Sequence, residues 1–132
     1  MRTNPTKRDI QRTFLVLAGI SGALAVATGA LGAHALEKTL SDDMLDVYHT
    51  GARYHMYHTL ALFGVALLWK YVQNVWVKSA GWLFAAGIVI FSGTLYLLAI
   101  TGITKLGMIT PLGGVSFIAG WLCLALGAAK RS

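Results

Sequence analysis

The side chains able to hold a metal or move a proton gather in one stretch, Gly51-Ala52-Arg53-Tyr54-His55-Met56-Tyr57-His58-Thr59-Leu60-Ala61. His55 and His58 are three apart and share one face of a helix. With His34 they would offer three imidazoles, a ligand type that suits several metals. The helical zinc pair has a spacing of four with a catalytic Glu beside it, and that Glu is absent here. We therefore expect no metal and no cofactor, and instead a hydrogen bond between His34 and His58 across two helices. Tyr96, deep in an apolar run, needs a partner for its hydroxyl, and His58 or His34 is the nearest candidate. Ser92 and Thr94 can bond back to their own helix. Arg53 either snorkels outward or pairs with Asp46. Tyr48, Tyr54 and Tyr57 fit an outer aromatic belt. Thr110-Pro111-Leu112-Gly113-Gly114 resembles a phosphate loop only superficially, because no lysine follows. No carboxylate lies inside the apolar runs and no nucleophile–base pair emerges from spacing, so no catalytic residue and no enzyme are expected.

The elements that must position these groups are apolar helices. The chain has 132 residues, 56% hydrophobic and 12% charged, with mean hydropathy +0.64. Soluble domains carry about 25% charge. Here the charges sit in short patches between long uncharged runs, the distribution of a membrane protein. The expectation is an all-α integral membrane four-helix bundle, a single domain over 1–132, with helices at about 13–36, 42–70, 79–101 and 111–129. A bilayer core of about 30 Å takes about 20 helical residues, which these runs supply. Ala33-His34-Ala35 mimics a signal-peptidase site, but Phe14 to Leu36 holds no charge and exceeds a secretory apolar region, so a retained helix is expected. Ser41 followed by Asp42 and Asp43 reads as an N-cap with an acidic first turn, and Gly51 as a bend. Pro111 suits a helix start. Ala18, Gly22, Ala25, Gly29 and Gly32 form one stripe of small residues. Gly113, Ser116, Gly120, Cys123 and Gly127 form another. Such stripes let helices approach closely in a bilayer. Cys123 alone makes no intrachain disulfide and reads as a small buried residue.

The net charge of +6 could suggest nucleic acid, but Lys and Arg flank the apolar runs and no basic stripe with interleaved aromatics appears. Lys and Arg number eight on one side (Arg2, Lys7, Arg8, Arg12, Lys70, Lys78, Lys130, Arg131) and three on the other (Lys38, Arg53, Lys105). That bias places both termini in the cytoplasm. Counting from the charged ends puts His58 about 18 Å, and Ser92 and Ser116 about 21 Å, from the inner boundary. His34, Tyr54, His58, Ser92, Tyr96 and Thr110 are thus expected in one polar layer of the outer leaflet half.

Gly29-Ala30-Leu31-Gly32-Ala33-His34, Tyr54-x-x-x-His58-Thr59-Leu60-Ala61, Phe91-Ser92-Gly93-Thr94-Leu95-Tyr96 and Thr110-Pro111-Leu112-Gly113-Gly114 followed by Gly120-Trp121 resemble the signatures of one family. It is the domain of unknown function 423, which includes bacterial inner-membrane proteins and the animal transmembrane protein 256. The resemblance runs through nearly the whole chain and implies a four-helix protein of the bacterial inner membrane. It implies no activity, substrate or catalytic residue. The family usually has glutamine where this chain has His55, which argues against a family-wide three-histidine metal site. Phe for Leu31 and Ser for Thr94 are milder differences.

Two functions follow as expectations. In one, the polar layer binds a lipid headgroup or small polar molecule. In the other, it only locks helix packing in a structural or assembly protein. Expected partners are membrane lipids and either further copies of the chain or partner membrane helices, not nucleic acid. A single four-helix unit is small for a transporter, so transport would require an oligomer.

Overall fold

The computed structural model describes residues 5–130; Arg2 and Arg131, which enter the charge count, lie outside the described residues. Those residues are almost entirely helical and contain no strand. Helix α1 spans Pro5–His34, α2 Asp42–Leu68, α3 Val75–Gly87, α4 Gly93–Thr101 and α5 Thr110–Lys130. A π-helical turn, Ile88–Ser92, joins α3 to α4 without a break. Short 3-10 turns at Leu36–Lys38 and Thr104–Met108 fill two connections.

Local chemistry accounts for the boundaries. The Ser41 side chain accepts from the Met44 amide at 3.2 Å and caps α2. Asn74 caps α3 by accepting from the Val77 amide at 3.0 Å, and its amide also donates to the Gly127 carbonyl at 3.0 Å. Gly102, at φ 71, ends α4 in the left-handed conformation that glycine adopts without penalty. Helix α1 begins at Pro5, not near Thr13, because apolar residues mark the oily part of a helix rather than its first turn. Its basic start is held by tertiary bonds. The Trp69 indole donates to the Lys7 carbonyl at 2.8 Å, and the Gln11 amide to the Ala66 carbonyl at 2.9 Å. Likewise α3 starts at Val75, before Ser79, where the Asn74 cap sets it. Helix α2 runs through Gly51 without a break.

Packing is pairwise. Helix α1 lies along α2, α5 along α3 and the π turn, and α2 also meets α3 and α4. Glycines permit the closest approaches. A Cβ on Gly113 would collide with the Phe91 backbone in the π turn, and one on Gly127 would meet the Val77 amide nitrogen at 3.0 Å. The stripe on α5 is thus spent against α3 and the π turn. On α1, Gly32 abuts Tyr48 and Gly22 faces Thr59, so that stripe is spent against α2, except at Gly29, which faces open space. The core is apolar, built on Phe14, Leu62, Val65, Val77, Phe84 and Phe117.

Among the described residues, three stretches are long and apolar enough to cross a membrane: Pro5–Lys38, Val75–Thr101 and Thr104–Lys130. Helix α2 is not among them, because Arg53, Tyr54, His55, Tyr57 and His58 dilute its apolar content. Of these, His55 and His58 turn inward, while Arg53, Tyr54 and Tyr57 are exposed. His55, His58 and Thr59 are buried, while Leu60 is 60% and Leu67 49% exposed. A helix with polar residues inside and apolar residues outside suits a lipid surround, the inverse of a soluble amphipathic helix.

Candidate functional site

The polar residues are joined by hydrogen bonds into separate groups. Three clusters stand out among the described residues, one among three helices and two between helix pairs. The largest lies among α1, α2 and α4. The Thr59 and Ser21 hydroxyls are 2.6 Å apart, and Ser21 Oγ lies 3.1 Å from His55 Nε2. His55 Nδ1 lies 2.9 Å from the Tyr96 hydroxyl, which lies 3.1 Å from Thr28 Oγ1. The Tyr48 hydroxyl donates to the Thr28 carbonyl at 2.5 Å. Beside it, Ser92 reaches across to α2 and donates to the Gly51 carbonyl at 2.7 Å, rather than bonding within its own helix. Gly51 allows this approach: a Cβ there would sit 3.2 Å from Leu95 Cβ and 3.4 Å from the Ser92 carbonyl.

The second cluster joins α2 to α5. His58 Nδ1 lies 2.8 Å from the Tyr54 carbonyl, and the Trp121 indole N–H donates to His58 Nε2 at 3.1 Å. A carbonyl can only accept and an indole N–H can only donate. The His58 ring is therefore neutral with its proton on Nδ1, and both nitrogens are committed. Phe117 stacks on the ring at 3.5 Å between centroids. The third cluster is small: Thr94 donates to the Ile90 carbonyl at 2.5 Å, and its hydroxyl meets Thr110 Oγ1 at 2.7 Å, tying α4 to α5.

Several sequence expectations change accordingly. His34 ends α1 in an exposed position and meets neither His58 nor Tyr96. A residue at a helix terminus cannot reach a partner that the helix axis carries elsewhere. Tyr96 bonds His55, not His58. Tyr54 is 40% exposed, its ring against Phe91 and His58, and it reaches the second cluster only through its carbonyl. Tyr48, assigned to the outer belt, is 1% exposed and belongs to the core. Arg53 donates to Thr50 Oγ1 at 3.2 Å rather than pairing with Asp46. Among the described residues, no three His, Cys, Asp or Glu side chains gather to hold a metal. The residues missed are His55, Ser21, Thr28, Thr59 and Trp121. A signal existed for four of them. Ser21 and Thr28 are seven apart on α1, and His55 and Thr59 four apart on α2, so each pair shares a face.

A cavity of about 340 Å³ opens beside the first cluster. It exists because α1 follows α2 and meets α3 at Phe14, whose ring packs on Gly81 and Trp82, leaving a gap further along toward the π turn. Ile20 and Leu24 of α1 and Ile88 and Val89 of the π turn form its apolar walls. Its polar side chains are Ser21, His55, Ser92 and Tyr96. No Lys, Arg, Asp or Glu lines it. π-helical turns occur often at functional sites, and this one forms a wall of the cavity. The arrangement can seat an apolar body with a hydrogen-bonding end.

An all-helical chain with long apolar helices and buried polar clusters belongs to the class of membrane proteins. The model of a family described as "Protein of unknown function (DUF423)" matches residues 28–114. The chain is 51% identical over 120 residues to the UPF0382 membrane protein YwdK of Bacillus subtilis (strain 168), covering 90% of this chain and 98% of that one. It is 40% identical over 119 residues to the UPF0382 inner membrane protein YgdD of Escherichia coli (strain K12), covering 90% and 91%. The UPF0382 membrane protein SSP2132 of Staphylococcus saprophyticus is 44% identical over 119 residues, covering 90% and 98%. The chain belongs to the DUF423 family. No solved structure matches it.

Proposed function

We propose that this chain is a four-helix, multi-pass protein of the bacterial inner membrane with both termini in the cytoplasm, and that it binds a lipid in the groove between α1 and the π turn. Helix α2 is the fourth crossing in this reading, with His55, His58 and Thr59 sheltered by the other helices. The observation that carries the binding proposal is the cavity of about 340 Å³ with apolar walls and Ser21, His55 and Tyr96 at one side. Its size lies near the lower end of ligand pockets, about 300–1,000 Å³. The absence of a lining cation disfavours a charged headgroup inside it, so the bound part is apolar with a neutral polar end. Binding rather than catalysis is the role proposed: His58 has both ring nitrogens committed.

The reading in which polar groups only lock packing has its own support. Among the described residues every buried side-chain nitrogen and oxygen has a hydrogen-bond partner. The two small-residue stripes are largely occupied within the chain, which leaves locking rather than partner-helix assembly as this second reading. Mass spectrometry of lipids retained through purification separates the two. Binding predicts one lipid class enriched over the bulk membrane, and its loss in Ile20→Trp, which fills the groove from its rim while the protein stays folded. A lipid content that mirrors the bulk membrane in both proteins would leave the locking role.

A further inference from the structure

The hydrogen-bond directions around the groove can be worked out from one end. Thr28 Oγ1 lies 2.9 Å from the Leu24 carbonyl and 3.1 Å from the Ala25 carbonyl. Carbonyls only accept, so the single Thr28 proton is committed there. The Tyr96 hydroxyl, 3.1 Å from Thr28 Oγ1, must then donate to it. His55 Nδ1, 2.9 Å from the Tyr96 oxygen, must donate in turn. For a neutral imidazole this leaves Nε2 as an acceptor, filled by the Ser21 hydroxyl at 3.1 Å. Ser21 has then spent its proton, so Thr59 donates to Ser21 across 2.6 Å. The chain runs one way, Thr59 to Ser21 to His55 to Tyr96 to Thr28. Independently, Ser92 spends its proton on the Gly51 carbonyl at 2.7 Å.

Every donor hydrogen on the four polar side chains lining the groove is thus used inside the protein. Acceptor capacity is not: a hydroxyl oxygen has two lone pairs. Ser21 keeps one free after accepting from Thr59, Ser92 keeps both, and Tyr96 keeps one after accepting from His55. The groove therefore offers acceptors and no donors. A carbonyl, ether or phosphate entering it would find nothing to bond and would face lone pairs.

We propose that the groove takes a single-chain amphiphile ending in a neutral hydroxyl, which it holds as a hydrogen-bond donor to Ser21, Ser92 or Tyr96. This rests on the lipid-binding reading above and specifies the ligand's chemistry. One chain rather than two follows from the volume of about 340 Å³.

The test is photolabelling of the full-length protein in nanodiscs with hexadecanol carrying a mid-chain diazirine, followed by peptide mapping. Competitors are hexadecanol, hexadecyl methyl ether, methyl pentadecyl ketone and dioleoylglycerol. The expected result is labelling of α1 and π-turn peptides, lost in Ile20→Trp, with hexadecanol competing about fivefold better than the ether or the ketone, the worth of one hydrogen bond. Ether or ketone competing as well as the alcohol would overturn the donor requirement while leaving lipid binding in place. Dioleoylglycerol competing better than hexadecanol would overturn the single-chain ligand. Labelling that no competitor displaces, or that avoids those peptides, would overturn groove binding itself.

Discussion

At the scale of single residues, two histidines of one helix face have opposite characters. His58 is clamped between a fixed acceptor and a fixed donor, while His55 lies between two hydroxyls and beside a cavity. His58→Ala leaves the Trp121 indole N–H unpaired and removes the Phe117 stack. We expect a loss of about 2 kcal/mol of stability, measured by denaturant titration in detergent, with lipid retention unchanged. In ¹⁵N NMR, His58 should show Nδ1 protonated and Nε2 bare; a protonated Nε2 would contradict the Trp121 bond. His55→Leu should cost about 1 kcal/mol, since hydrogen bonds in membrane bundles are individually modest, but it should alter lipid retention because His55 lines the groove. The partners of His58, Tyr54 and Trp121, were not legible in the sequence. A run of residues marks which face is polar only when the other helices' rotations are known. The role of His55 was hidden because its partner Ser21, and Thr28 on the far side of Tyr96, are small hydroxyls scattered in an apolar helix, a pattern that usually means bonding within the helix.

At the scale of elements, glycine placement decides which helices pair. The two stripes were legible as stripes, but a stripe does not name its neighbour; that depends on the loops and on the match of opposing surfaces. The structure assigns them, α1 to α2 and α5 to α3. Gly113→Ala should destabilise by about 1–3 kcal/mol, because the added methyl meets Phe91 backbone that cannot swing aside. Gly29→Ala, with nothing within 4 Å of the new methyl, should be neutral or stabilising by up to about 1 kcal/mol through helix propensity. Thermal melts of both variants in one detergent test this pair, and equal losses would refute the packing assignment. Caps were the most readable local features. Ser41 and Pro111 stand where their chemistry sets them, whereas the start of α1 was hidden because charged residues can extend a helix beyond its oily segment.

At the scale of the whole molecule, the helices expose large apolar side chains while His55, His58, Thr59, Ser92 and Thr94 are buried. Val26, Leu60, Val89, Leu112 and Ile118 are among the large exposed side chains. A patch of that kind exceeds what a soluble monomer shows. Composition made this legible at once, since charge clustering needs no knowledge of contacts. The orientation proposal predicts that a reporter active only in the cytoplasm, fused after Ser132, is active, and that one placed in the Glu37–Thr39 connection is not. The reverse pattern would invert the topology. The cavity was not legible, because it is a gap between two elements and is recorded in no residue type.

The π turn has a consequence for chain length. Such a turn holds one residue more than the α-helical turn it replaces. Removing a single residue from Ile88–Ser92, Val89 for instance, would let the segment rewind as ordinary α-helix with α3 and α4 keeping their faces. The same one-residue deletion elsewhere in Val75–Thr101 would rotate everything downstream by about 100°. This segment is thus the one place in that rod where natural shortening by one residue is affordable, and a chain so shortened should fold yet lose its groove wall.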